Sequence, residues 1–148
     1  MDRVPSVVAG GIAGTAVLSL LLILLEVQTR EQILVFDVIA RFVGVPDQQA
    51  VGFVVFLLAG CVAWPLVFVA VEQYIPGGPD PAARGVVLAI PLWIAFDIAG
   101  RGDIAGPLLL VYVALTFVAH VAYGWVMGAV YAHLHSGTEL PREEYSYG

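Results

Sequence analysis

The sequence predicts an all-α integral membrane protein, because the chain is strongly apolar, carries little charge and contains four apolar runs long enough to cross a bilayer. Of its 148 residues, 60% are hydrophobic and 12% are charged, and its mean hydropathy is +0.92. A soluble domain carries about 25% charged residues. The formal net charge of −6 and the single cysteine exclude a nucleic-acid-binding protein and a small disulfide scaffold.

Four apolar runs form the predicted transmembrane helices, since about 20 residues of helix cross the hydrocarbon core of a bilayer. They cover about residues 4–27, 49–74, 81–100 and 107–134, within one membrane domain, 1–135. Asp47 and Asp80 precede the second and third spans as expected N-caps, and prolines follow in the first turns of the third and fourth. The Pro-Gly run 75–80 is a tight turn, so the second and third spans are expected to pack as antiparallel neighbours.

The connection between the first and second spans combines apolar residues with Asp37 and Arg41. This pattern predicts an amphipathic helix over about 31–43 that lies in the membrane interface. The tail 136–148 is polar and acidic, and we expect it to be mobile. Four spans place both termini on the same side of the cell membrane, which we take as the cytoplasmic side by default. The arginines do not decide the orientation, since three fall on each side.

The charged residues are unusual, because all six cations are arginines and twelve acids outnumber them. This composition is typical of proteins from salt-loving organisms. Glu26, Asp37 and Asp97 each have an arginine four residues further along the chain, which predicts ion pairs that fix helix ends at the interface. In the alternative interpretation, Glu26, Asp97 and His120 line an ion path, because ionisable groups inside a bilayer are costly and often functional.

His120 lies near the middle of the fourth span and shares a helix face with Gly124 and Gly128. Such a small-residue stripe lets another backbone approach closely. The first span carries a matching stripe of small residues: Gly11, Thr15 and Ser19. We therefore expect a hydrogen bond from His120 to one of the two hydroxyls between closely packed helices. The alternatives are proton handling and ligation of haem b, for which His120 would supply one axial ligand.

Trp64 and Trp93 lie inside spans, each within two residues of a proline. The prolines, Pro65 and Pro91, each free a backbone carbonyl and kink the helix. Tryptophans in a membrane protein usually lie at the interfaces, so we expect these two to pack against a partner protein. The sequence contains no phosphate-binding glycine loop, no metal-ligand spacing and no nucleophilic triad, so we expect no enzymatic activity.

The segment from His120 to Gly124, continued by Gly128 and Tyr131, has the pattern H-x-x-Y-G-x-x-x-G-x-x-Y. In this pattern, in its glycine-rich first span and in its proline-containing second span, the chain resembles an uncharacterised family of four-helix membrane proteins from haloarchaea. Some such proteins are similar to the small accessory subunits of haem-copper terminal oxidases. The resemblance implies membership of a respiratory complex and no catalytic residues.

These observations predict a non-catalytic accessory subunit without a cofactor of its own. Its expected partners are the lipid bilayer and the larger subunits of a respiratory complex, a terminal oxidase foremost, and not nucleic acid. Two alternatives remain: a homo-oligomeric channel or small-solute transporter, and a haem b-binding electron-transfer subunit.

Overall fold

The computed structural model describes residues 1–29 and 34–136, and these residues form helices and turns without a β-strand. Five helices follow one another in the chain: α1 (Arg3–Gln28), α2 (Val35–Phe42), α3 (Gln49–Tyr74), α4 (Pro81–Gly100) and α5 (Pro107–Ser136). All but α2 are long and apolar enough to cross a membrane. Helix α2 lies within the expected range 31–43, of which residues 31–33 lie outside the described residues, as does the tail 137–148.

The four long helices pack in the order α3, α1, α5, α4. The expected packing of the second and third spans is wrong, because α4 packs along α5 and α3 packs along α1. The turn between α3 and α4 holds only their linked ends together. Short α2 contacts both α3 and α4 at the other end of the bundle, with Val35, Val38 and Ile39 buried. A cleft therefore separates α3 from α4, with α1 and α5 at its back and α2 across one end.

Small residues on α1 form two stripes that are offset by one residue, and each stripe packs against a different neighbouring helix. Gly10 and Gly14 face α5, where a Cβ at Gly14 would lie 2.9 Å from the Tyr123 carbonyl oxygen. Gly11 and Thr15 face α3, where a Cβ at Gly11 would lie 2.9 Å from the Cys61 carbonyl oxygen. The stripe that sequence analysis assigned to α5 therefore packs on α3, and its neighbouring stripe packs on α5.

The glycine pair on α5 packs against α4 of the same chain. A Cβ added at Gly124 would overlap the carbonyl of Gly85, and one at Gly128 would overlap the carbonyl of Pro81. Close approach of two backbones needs small residues on both sides, and Gly85 supplies the second one. Both glycines are buried, so this stripe is occupied within the chain.

The helix ends follow the sequence signals at one position and depart from them at another. The Asp80 carboxylate accepts a hydrogen bond from the Ala82 N–H at 3.0 Å and caps α4, as expected. Asp47 does not cap α3, since Gln48 occupies the N-cap position and no side chain bonds the first turn. Asp47 instead adopts a φ of 66° and donates its N–H to Asp37 Oδ1 at 2.6 Å. The turn between α2 and α3 is therefore held by Asp37.

Candidate functional site

One face of α5 carries a stripe of buried polar side chains. Its members are Tyr112, Thr116, His120, Tyr123 and Tyr131. Successive members are three or four residues apart, except that Tyr131 follows Tyr123 by about two turns. All five therefore lie on one side of the helix. Each must find a hydrogen-bond partner inside the bundle, because hydrocarbon offers none. The three tyrosines bond acceptors on other helices, whereas the His120 ring bonds a carbonyl of α5 itself.

Tyr123 is bonded to the irregular middle of α3. Residues Ala59–Ala63 form one turn of π-helix, in which each N–H bonds the carbonyl five residues earlier. Pro65 has no N–H, so the carbonyl of Gly60 lacks a partner within the helix. The Tyr123 hydroxyl donates to that oxygen at 2.7 Å. The expected kink at Pro65 is thus a π-turn, and its freed carbonyl attaches α3 to α5.

A second polar cluster lies at the end of the bundle where α1 begins. Glu72 is buried near the end of α3 and forms an ion pair with Arg3. The Tyr131 hydroxyl donates to Glu72 Oε1 at 3.0 Å and lies 3.3 Å from Arg3 Nε. Arg3 of α1 therefore neutralises the buried carboxylate of Glu72 on α3, and Tyr131 of α5 donates a further hydrogen bond to it. Sequence analysis missed this cluster, although Glu72 was the one acid inside the predicted second span.

His120 is buried, and its ring has two different edges. Nδ1 lies 2.7 Å from the Thr116 carbonyl oxygen, one turn back on α5. A carbonyl only accepts hydrogen bonds, so Nδ1 carries the proton and Nε2 is left as an acceptor. Nε2 has no hydrogen-bond partner among the described residues, and the ring packs against Phe96 with centroids 5.2 Å apart.

The expected hydrogen bond between His120 and the hydroxyls of α1 is wrong. Ser19 donates to the carbonyl of Thr15 on its own helix, at 2.7 Å. The buried Thr15 hydroxyl has no partner among the described residues and lies against Gly60 of α3. The reason is the offset of the two stripes on α1, since Thr15 belongs to the stripe that faces α3.

The acidic residues of the proposed ion path lie in three different environments. Asp37 pairs with Arg41 at 3.3 Å, as expected. Glu26 accepts the N–H of Val35 at 3.2 Å and so ties α1 to the start of α2; its expected partner Arg30 lies outside the described residues.

Asp97 forms no ion pair with Arg101 within the described chain; instead it accepts the Thr116 hydroxyl at 2.9 Å. That expectation fails because Asp97 faces α5. Thr116 consequently bonds Asp97 through its hydroxyl and His120 through its carbonyl. Two of the three ion-path residues thus meet at one threonine, whereas Glu26 binds elsewhere.

The three tryptophans differ in how their indole N–H groups are satisfied. The Trp93 N–H donates to the Val113 carbonyl at 3.2 Å, and its ring packs on Phe117. Trp64 and Trp125 are 37% and 57% exposed, and their N–H groups have no partner among the described residues. Trp93 therefore packs within the chain, and the other two present free donors on the outer faces of α3 and α5.

A cavity of about 170 Å³ lies in the cleft between α3 and α4. All five helices contribute to its wall, with Leu22, Val38, Phe56, Phe96 and His120 among the lining residues. A cavity of about 150 Å³ accommodates one benzene ring. The space in the cavity is therefore close to that of one aromatic ring. The described residues also contain no group of three metal-ligand side chains.

A sequence model of a family of unknown function, DUF6789, matches residues 1–141. The chain is a member of the DUF6789 family. Comparisons with curated proteins and with solved structures return no match.

The DUF6789 match includes all five helices and every residue of both polar clusters. The match to a family of unknown function agrees with the expected membership of an uncharacterised family. The match includes Arg3, Glu72 and Tyr131, so the whole polar cluster that sequence analysis missed lies within the DUF6789 region. The same holds for His120 and the cavity beside it.

Proposed function

We propose that this DUF6789 protein is a non-catalytic accessory subunit that acts inside the bilayer by packing against a larger respiratory complex, a terminal oxidase foremost. It lies in the cell membrane of a salt-adapted organism, with both termini on the cytoplasmic side and α2 at the opposite interface. The observation that carries the proposal is the position of two exposed tryptophans, Trp64 and Trp125, at mid-depth of their helices.

At 1.5 Å per residue, Trp125 lies about 5 Å and Trp64 about 4 Å from the middle of its own helix. Tryptophans that contact lipid favour the interfaces, about 15 Å from the bilayer centre. Lipid tails also cannot accept an indole N–H, whereas a carbonyl or side chain of another protein can. Trp64 and Trp125 therefore support cover by a protein rather than by lipid alone.

The connections of the chain support the same proposal. The described turns between α3 and α4 and between α4 and α5 span residues 75–80 and 101–106, which leaves little protein outside the membrane at those points. The glycine stripes are occupied within the bundle, so a partner would contact the tryptophan faces of α3 and α5. We therefore propose that the partner protein docks on Trp64 and Trp125, and not on Gly124 and Gly128.

The test is purification of the tagged chain from its own membranes in mild detergent at native salt. We expect terminal oxidase subunits to be recovered with the native chain, and less of them with Trp125→Phe, which keeps the ring but removes the N–H. Trp93→Phe is the matched control, because that N–H is satisfied inside the chain. Recovery of the chain alone, or equal recovery of oxidase with all three proteins, would contradict the proposal.

A second candidate is ion or small-solute transport, favoured by the meeting of Asp97 and His120 at Thr116. Asp97→Asn keeps an oxygen that accepts the Thr116 hydroxyl and removes the charge, so the fold is retained. Flux into vesicles that disappears with Asp97→Asn would support transport. Flux that persists would remove Asp97 from the path.

A further inference from the structure

The cavity between α3 and α4 opens sideways toward the bilayer. Three of its lining residues are exposed on the outside of the bundle: Phe42 on α2, Trp64 on α3 and Ala95 on α4. These residues mark a mouth that lies between helices and faces hydrocarbon, because α3 and α4 do not pack along each other. A ligand would therefore reach the cavity from the lipid phase and must itself dissolve in lipid.

The cavity wall is apolar and aromatic except at three side chains: Trp64 on α3, with its indole N–H, and Tyr123 and His120 on α5. The Tyr123 hydroxyl uses its proton in the bond to Gly60. His120 is 7% exposed, and its Nδ1 is bound to Thr116. The remaining ring nitrogen, Nε2, lies on the opposite edge of the ring and has no protein partner in the described parts of the chain. In the neutral ring this nitrogen is an acceptor, so the wall of the cavity offers an acceptor without a protein donor.

A buried acceptor without a donor is costly, so a ligand that supplies the donor is favoured over one that does not. The cavity of about 170 Å³ has room for one aromatic ring with small substituents. Its aromatic wall residues, Phe56 and Phe96, suit edge-to-face and stacked contacts with such a ring. The ligand must therefore donate a hydrogen bond, be about the size of one ring and pack against aromatic side chains. An aromatic ring that carries a hydroxyl group meets these three requirements.

We infer that the cavity binds a hydroxylated aromatic ring that enters from the bilayer and donates its O–H to Nε2 of His120. This head-group chemistry is shared by membrane quinols and free phenols. The inference goes beyond the accessory role, and the cavity and its acceptor belong to a single chain. Trp64 is shared with the proposed docking face, so the ligand is tested on the isolated chain in lipid nanodiscs.

The inference can be tested by fluorescence of Trp64, which lies at the mouth of the cavity. A protein with Trp93→Phe and Trp125→Phe retains only this tryptophan and is placed in lipid nanodiscs. The probes are 4-bromophenol and 4-bromotoluene, two rings of nearly equal size whose bromine quenches indole on contact. At equal membrane mole fraction we expect saturable quenching, with 4-bromophenol bound about tenfold more tightly because of its hydrogen bond.

Three variants give the controls. His120→Leu removes the acceptor and fills its space, so the preference for 4-bromophenol should fall about tenfold while 4-bromotoluene still binds. Ala59→Leu narrows the lined wall and should weaken both probes. Ala63→Leu adds the same group on the same π-turn but faces outward, and should leave both unchanged. Helix content by circular dichroism verifies that each variant is folded.

Either of two quenching results would overturn the inference. One is quenching that rises linearly with probe and equals that of a control protein retaining only Trp125, which lies outside the cavity. The other is a preference for 4-bromophenol that survives in folded His120→Leu. Competition then distinguishes a membrane quinol from a free phenol. If a decyl-substituted hydroquinone displaces the probe at a lower mole fraction than hydroquinone does, the natural ligand is a quinol. If the two compounds displace the probe equally, it is a free phenol. Failure of both competitors would also overturn the inference.

Discussion

The Tyr123 hydroxyl lies 2.7 Å from the Gly60 carbonyl oxygen, the acceptor that Pro65 leaves without an N–H in the π-turn of α3. This bond joins helices that are not neighbours in the bundle order, since α1 lies between α3 and α5. It passes beside Gly14, whose missing side chain leaves room for the Tyr123 ring. A carbonyl that lacks a hydrogen-bond donor within α3 thereby receives one from a side chain of α5.

Removal of this hydroxyl should destabilise the bundle. Tyr123→Phe leaves the Gly60 carbonyl buried without a donor, which we expect to lower the free energy of unfolding by about 1 kcal/mol. Titration with a denaturing detergent, followed by circular dichroism, measures the change. Tyr74→Phe is the matched control, because Tyr74 is 77% exposed. Equal stability of the Tyr123 variant and the control would show that the bond contributes nothing.

A side chain at Gly124 should disrupt the contact between α4 and α5. The obstacle is the backbone of Gly85, which cannot move aside as a flexible side chain would. We expect Gly124→Leu to cost about 1–3 kcal/mol or to prevent folding. Ala114→Leu places the same side chain on an exposed position of α5 and should be neutral. Comparison of the two unfolding curves checks this, and matching curves would contradict close packing at Gly124.

The Arg3 and Glu72 pair should be coupled in stability. Arg3→Gln removes the cation from a buried carboxylate, and we expect a loss of about 1–2 kcal/mol because Arg3 itself is half exposed. The addition of Glu72→Gln should recover part of that loss, since the charge that needed a partner is gone. Arg84→Gln is the control, because the Arg84 side chain lies on the surface and, among the described residues, bonds only the Gly78 carbonyl. Additive effects of the two substitutions would argue against coupling.

Prediction from the sequence is most accurate where one local property, such as hydropathy or an N-cap residue, determines where a helix lies. Hydropathy locates the four long helices, and the sequence Asp80-Pro81 marks the start of α4. The glycine at 124 predicts a close approach but not its partner, because any backbone can fill a small-residue stripe. Which stripe of α1 meets α5 depends on a helix rotation of one residue, and no periodicity in an all-apolar helix records that rotation.

The polar contacts were harder to predict, because their partners are far apart in the chain. Glu72 and Arg3 are 69 residues apart, and only the folded bundle brings them together. Asp97 has an arginine at the favourable spacing, yet it turns toward Thr116 because α4 packs that face against α5. Local spacing therefore identifies Asp37 with Arg41 correctly and fails where tertiary packing competes.

Crosslinking from position 125 is the direct test of whether Trp125 lies against another protein at mid-membrane, as we propose. A photoreactive phenylalanine replaces Trp125 in one protein and Leu20, which is 65% exposed on α1, in a control. We expect illumination of native membranes to link position 125 to a terminal oxidase subunit, and position 20 to none. Products from position 125 that contain only lipid, or only a second copy of this chain, would contradict this proposal.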